Sequence, residues 1–92
     1  MKKRAHVYYK GMVQGVGFRF TAERLAQGLD ITGWVKNLTD GRVELLCEGE
    51  EKTLIAFLGK IKSGTLKEYI HDAEVSWSDA GGDLRGFEIR FW

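Results

Sequence analysis

Residues 5–29, AHVYYKGMVQGVGFRFTAERLAQGL, change their hydrophobic period in mid-course, and that change decides the fold. Over 5–13 the chain alternates. Ala5, Val7, Tyr9, Gly11 and Val13 fall on one face and His6, Tyr8, Lys10 and Met12 on the other, the period of a half-buried strand. From Phe18 the spacing becomes 4, 3, 1 and 3 through Ala22, Leu25, Ala26 and Leu29, the stripe of an amphipathic helix. Between them lies a glycine-rich turn, Gln14-Gly15-Val16-Gly17-Phe18. Gly28 caps the helix, because glycine reaches the left-handed conformation without penalty.

The same reading extends outward. Residues 31–38 form a second strand, with Ile31, Gly33, Val35 and Asn37 on one face. Thr39-Asp40-Gly41 is a hairpin turn, since Asp-Gly tolerates the positive φ of a tight connection. Strand three covers 42–48. A second helix follows at about 52–63, with the stripe Leu54, Ile55, Phe57, Leu58 and Ile61. Acids at its start and Lys60 and Lys62 at its end suit the helix dipole. Strand four covers roughly 73–78, with Ala73, Val75 and Trp77 on one face. A short last strand, 87–92, aligns Phe87, Ile89 and Phe91.

The order is β-α-β-β-α-β plus a short terminal strand. Two helices can cover only one face of such a sheet, so the expected fold is α+β: a ferredoxin-like two-layer α/β sandwich with a mostly antiparallel sheet. Each helix joins strands that are parallel but not adjacent, through right-handed crossovers. That architecture hosts many functions and specifies none.

A chain of 92 residues suffices for one core, so 1–92 reads as a single domain, loose at most over Met1–Arg4. The one cysteine, Cys47, permits no internal disulfide, and with no second cysteine and only two histidines a structural zinc site is not expected. No apolar run approaches the roughly 20 residues of a membrane span. The basic start MKKRAHVYYKG lacks the apolar stretch of a signal peptide, so a cytoplasmic protein is expected. A net charge of +1 argues against a nucleic-acid partner.

Two stretches carry candidate chemistry. In Val13-Gln14-Gly15-Val16-Gly17-Phe18-Arg19 a strand ends, two glycines turn the chain, and a helix begins. Free amides of a first helical turn carry partial positive charge, successive turn amides can form an anion-binding concavity, and the Arg19 fork matches phosphate oxygens. The stretch is therefore either a plain turn or a phosphate cradle. It is no dinucleotide fingerprint, since position 20 is Phe20, and no P-loop, since Gly-Lys-Ser/Thr is absent. As an RNA-recognition strand it lacks the leading basic residue and the second-position aromatic. In Gly33-Trp34-Val35-Lys36-Asn37-Leu38-Thr39-Asp40-Gly41, the polar Asn37 shares the face of Ile31 and Val35. It either sets the hairpin or orients a water or a phosphate oxygen.

Read together, VQGVGFR and, 18 residues after its arginine, the asparagine of GWVKNLTDG closely resemble the acylphosphatase signature. The resemblance runs from the first strand to the closing GFEIRF. It implies a hydrolase of acyl phosphates. The amides of Gln14, Gly15, Val16, Gly17 and Phe18 would cradle the phosphoryl group, Arg19 would bind it and stabilise the transition state, and Asn37 would position the attacking water. It implies no metal, no cofactor and no phosphorylated enzyme. A small-molecule acyl phosphate is the expected partner, with no nucleic acid and no membrane, and a monomer the simplest state. Met12 stands where the family commonly has a basic residue, and Ser63-Gly64 where it commonly has Gly-Pro. Both lie outside the residues mapped to chemistry.

The rest of the chain reads as structure. His6 lies on the strand face away from the helices and His71 in a loop before strand four. Cys47 reads as a small buried residue. Trp34, Trp77, Trp92, Tyr8 and Tyr9 read as sheet-face packing, Asp40 as a turn residue, and Glu48, Glu50 and Glu51 as helix-start charges. Rival readings each have a marker. A phosphate-binding module without catalysis would lack Arg19 or Asn37. An acylphosphatase-like domain of a larger carbamoyl-transfer protein would continue past residue 92 into cysteine-rich segments. An RNA-binding module would show a stacking platform on a strongly basic face.

Overall fold

The computed structural model describes residues 1–91, so the expected placement of Trp92 in the last strand and in sheet-face packing lies outside the described residues. The elements are β1 (Lys2–Gly11), α1 (Phe18–Ala26), β2 (Thr32–Asn37), β3 (Val43–Glu50), α2 (Glu51–Ser63), a 3-10 turn at Lys67–Tyr69, β4 (Ile70–Asp79) and β5 (Phe87–Arg90). The strand order is β4-β1-β3-β2-β5. All pairings are antiparallel except β2–β5, which is parallel. Each helix thus joins parallel strands with one strand between them, the ferredoxin-like α+β arrangement that the hydrophobic periods predict.

Register explains the core. Val75, Val7, Leu45, Val35 and Ile89 lie opposite one another across all five strands. On the same face Ala5 lies opposite Cys47 and Tyr9 opposite Val43. Phe18, Ala22 and Ala26 of α1 and Leu54, Phe57 and Ile61 of α2 close over this layer. Leu25, Leu29 and Leu58 pack at its margin. Burying each large side chain contributes about 1.5–3 kcal/mol, enough for a handful of them to outweigh any surface ion pair in the molecule.

Several boundaries differ from the sequence expectation, each for a visible reason. β1 begins at Lys2, because Lys2–Arg4 pair with Glu48–Glu50 and charged partners hold them. The Met1 amino group meets Glu50, Lys3 meets Asp79 and Arg4 meets Glu48. β1 also ends at Gly11 rather than Val13, where the register against β4 shifts between Lys10 and Gly11. A Cβ on Gly11, at φ +132, would sit 2.4 Å from the Tyr69 carbonyl oxygen, so the close approach there requires glycine. α1 is capped at Gln27, whose N–H bonds Glu23 and Arg24 carbonyls, and Gly28 follows in the left-handed region.

β4 starts earlier than expected and includes His71, which is a strand residue rather than a loop residue. Ala73, Val75 and Trp77 do face the helix side, but Val75 and Trp77 are each 44% exposed, because α2 packs over β3 and β1 and leaves the edge open. Ile55 looks onto that open edge rather than into the core, beside Trp77.

Candidate active site

The β1–α1 junction takes six residues, 12–17, to pass from strand to helix. Gly15 and Gly17 sit at φ 78 and φ 79, the left-handed region that other residues avoid. A Cβ at either would meet nothing within 4 Å, so the requirement is dihedral and not spatial. Gly17 caps α1 with no side-chain hydrogen bond, and the first turn holds no acid. The opening amides of α1 therefore keep their partial positive charge, directed at the space before the helix. Phe18 pins the junction to the core: it is 2% exposed and its ring centroid lies 4.8 Å from that of Tyr9. Arg19, next in line, is half-buried at the surface, its guanidinium carbon 5.0 Å from the Phe91 ring centroid. Arg4, Arg42 and Arg90 are instead each engaged with a carboxylate.

Asn37 is the last residue of β2, opposite Val43. The turn beyond it is held by others. Leu38 N–H donates to the Arg42 carbonyl at 2.8 Å and Gly41 N–H to the Leu38 carbonyl at 3.2 Å. The Asp40 carboxylate accepts from the Arg42 backbone N–H at 3.1 Å and from its Nε at 2.8 Å. Asp40 is the turn residue the sequence suggests, and those bonds lower its pKa, the backbone N–H most. None of them uses the Asn37 side chain.

One cavity of about 200 Å3 collects Val13, Gly15, Gly17, Phe18, Arg19, Phe20 and Asn37. Segments 18 residues apart in sequence thus share one wall. Of the stretch 14–18, Gln14 and Val16 do not line it. Val16 packs against the core. The Gln14 side chain turns away, and its Nε2 donates to the Leu38 carbonyl at 2.7 Å and the Arg42 carbonyl at 3.0 Å. It ties the loop directly to the turn that follows Asn37. Sequence spacing singles out only the Gln14 amide and carries no sign of this brace, a side chain bonding across 24 residues. Phe20 was also missed as a cavity residue, although an aromatic two positions from the buried Phe18 on a helix was itself a signal.

Other titratable groups stand apart from this cavity. Cys47 is fully buried, burial pushes its thiol up to about 12, and its Sγ donates to the Ala5 carbonyl, so it is the inert packing residue expected. His6 meets Glu44 at 2.6 Å on the uncovered sheet face. His71 lines a different depression, with Tyr9 and Leu58. Among the described residues no group of three or more His, Cys, Asp or Glu is placed to hold a metal ion. The uncovered face pairs its charges: Arg4–Glu48, Lys10–Glu74, Lys36–Glu44 and Arg90–Glu88. Its aromatic rings are covered too, Tyr8 by Arg42 and Trp34 by Lys36 and Arg90. No described helix is long and apolar enough to cross a membrane.

Comparison with known proteins places the chain in a family. The family described as Acylphosphatase matches residues 5–89. A curated acylphosphatase of Anaeromyxobacter dehalogenans is 43% identical over 88 residues, 96% of this chain and 95% of that one. The crystal structure of acylphosphatase from Bacillus subtilis superposes with a TM-score of 0.88 at 36% identity, covering 96% of this chain and 98% of that chain. The crystal structure of T. kodakarensis HypF matches at a TM-score of 0.78 and 32% identity, covering 96% of this chain but 12% of that chain.

Proposed function

The chain belongs to the acylphosphatase family and hydrolyses acyl phosphates, and from that premise we propose that Arg19 and the amides of Gln14, Gly15, Val16, Gly17 and Phe18 hold the phosphoryl group while Asn37 holds the attacking water. The observation that carries the reading is the shared cavity, which joins Arg19 and the glycine junction to Asn37.

The chemistry asks little of the protein. An acyl phosphate is a mixed anhydride whose leaving group is a carboxylate, with a pKa near 4–5 like that of a side-chain carboxyl. The water oxygen forms a bond to phosphorus, the bridging P–O bond breaks, and its electron pair leaves on the carboxylate without a proton. The water proton passes to a phosphate oxygen of the substrate. What remains is to hold the phosphoryl group, offset its developing charge and place the water, the usual assistance to phosphoryl transfer. Arg19 and the helix-start amides supply the charge, and Asn37 supplies the placement. Gln14 adds a second contribution through its side chain, fixing the distance between cradle and water site.

The same set predicts weak action on ordinary phosphate esters, whose alkoxide leaving groups need a proton. We read residues 1–92 as one domain working as a cytoplasmic monomer without metal or cofactor. Its partner is the small substrate, and the paired charges of the uncovered sheet face favour neither nucleic acid nor membrane.

The decisive experiment measures hydrolysis of benzoyl phosphate in the presence of a chelator, for wild type and Arg19→Ala. The expected result is chelator-resistant turnover that falls by about 100- to 1,000-fold in the variant, the usual loss when one charge-stabilising group is removed. Full turnover by Arg19→Ala would remove the arginine from the mechanism.

A further inference from the structure

We propose that Phe20 is the acyl-side contact of this site and biases the enzyme toward acyl phosphates whose acyl group is apolar and planar; the inference rests on the assignment of the phosphoryl group to Arg19 and the glycine junction. Phe20 follows the buried Phe18 by two residues, about 200° around the helix, so it points away from the core. It is 69% exposed, and its ring therefore contributes little to folding. A lone exposed apolar side chain is ordinary. This one, however, lines the same cavity as Arg19 and Asn37.

Volume makes the second half of the case. At about 200 Å3 the cavity is smaller than the roughly 300–1,000 Å3 of sites that engulf a whole drug-sized ligand. It suits a phosphoryl group and a water. With the phosphorus held against Arg19 and the amides of α1, the acyl group must leave through the mouth, where Phe20 stands at the first turn of α1. A planar aromatic acyl group can lie against that ring, and an acetyl group offers it one methyl. Aromatic contacts of this kind discriminate by about 3- to 10-fold.

The test compares kcat/KM for benzoyl phosphate and acetyl phosphate in wild type, Phe20→Ala, Phe20→Leu, Arg19→Ala and the exposed helix variant Ile55→Ala. The ratio of benzoyl to acetyl should fall about 3- to 10-fold in Phe20→Ala and by less in Phe20→Leu. Ile55→Ala should leave it unchanged. Inorganic phosphate, which carries no acyl group, should inhibit Phe20→Ala as it inhibits wild type. An unchanged ratio, or equal losses on both substrates, overturns the Phe20 proposal alone if Arg19→Ala is inactive. An active Arg19→Ala overturns the phosphate assignment and this inference with it.

Discussion

The fold passes from strand to helix twice, and the two junctions are built in opposite ways. Between β1 and α1 the chain spends six residues, adopts the left-handed region at Gly15 and Gly17, and places no acid in the first helical turn. Between β3 and α2 it spends none: Glu50 ends the strand, Glu51 starts the helix, and Glu51 N–H donates to the Met1 carbonyl. The second junction sets an acid, Glu51, in its first helical turn and gives the Glu51 N–H to the carbonyl of the chain's first residue. The first has neither a side-chain cap nor an acid in its first turn. Two equivalent places in one architecture are thus built differently, and on the proposed function one serves stability and the other catalysis; the difference lies in a few residues of turn chemistry.

The largest effect should come from the charge beside the open junction. Arg19→Lys, which keeps the charge but loses the planar fork, should remain far below wild type in kcat/KM for acyl phosphates. A near-normal Arg19→Lys would show that charge alone suffices there. Asn37→Ala should lower kcat by about 10- to 100-fold while inhibition by inorganic phosphate stays close to wild type, the pattern of a lost placement rather than a lost binding group. Weaker phosphate inhibition would mean that Asn37 belongs to the cradle.

Smaller effects separate the junctions by stability. Gly17→Ala must hold a side chain at φ 79, at about 1–2 kcal/mol, and should lower both Tm and turnover. Gly59→Ala, in the interior of α2 with open space around it, should raise stability by about 0.5–1 kcal/mol and leave turnover alone. If thermal unfolding ranks these two variants equally, the strain assigned to the first junction is wrong.

The smallest contrast is pH-dependent. At Glu48, near the second junction, burial alone would raise the carboxyl pKa. The Gly81 and Gly82 N–H groups and Arg4 outweigh burial and hold it below the ordinary carboxylate value. A depressed folded pKa gives stability that is present above the unfolded value and is lost as pH falls through the folded one. Wild-type Tm should therefore drop more steeply than that of Glu48→Gln below about pH 4.5, the unfolded value, with activity at neutral pH unaffected by the change. Parallel Tm curves would show that Glu48 is held no differently in the folded state.

Most of the fold was legible because period 2 and period 3.6 alternate cleanly along the chain. The core stripes of α1 and β1 and the Asp-Gly turn needed no tertiary information. What escaped reading depends on distant partners. β1 extends back to Lys2 because carboxylates of β3 and β4 wait for it. Ile55 is exposed because α2 stops short of β4. At the candidate site, type and spacing alone left Gly15, Gly17 and Arg19 between a plain turn and a phosphate cradle and Asn37 between a hairpin and a water position; the paired motif's family resemblance chose between them. The Gln14 brace and the Phe20 rim were not legible, since one is a bond across the sheet and the other a side chain whose meaning lies in its neighbours.

The strand order carries a consequence for synthesis. β1 is the first strand to leave the ribosome, yet it lies between β3 and β4, the partners supplied by residues 43–50 and 70–79. The Gln14 side chain likewise waits for Leu38 and Arg42. A nascent chain must carry this interior strand unpaired until about half its length has emerged. Until Arg42 and β3 have been made, neither the Gln14 brace nor the first neighbour of β1 is in place.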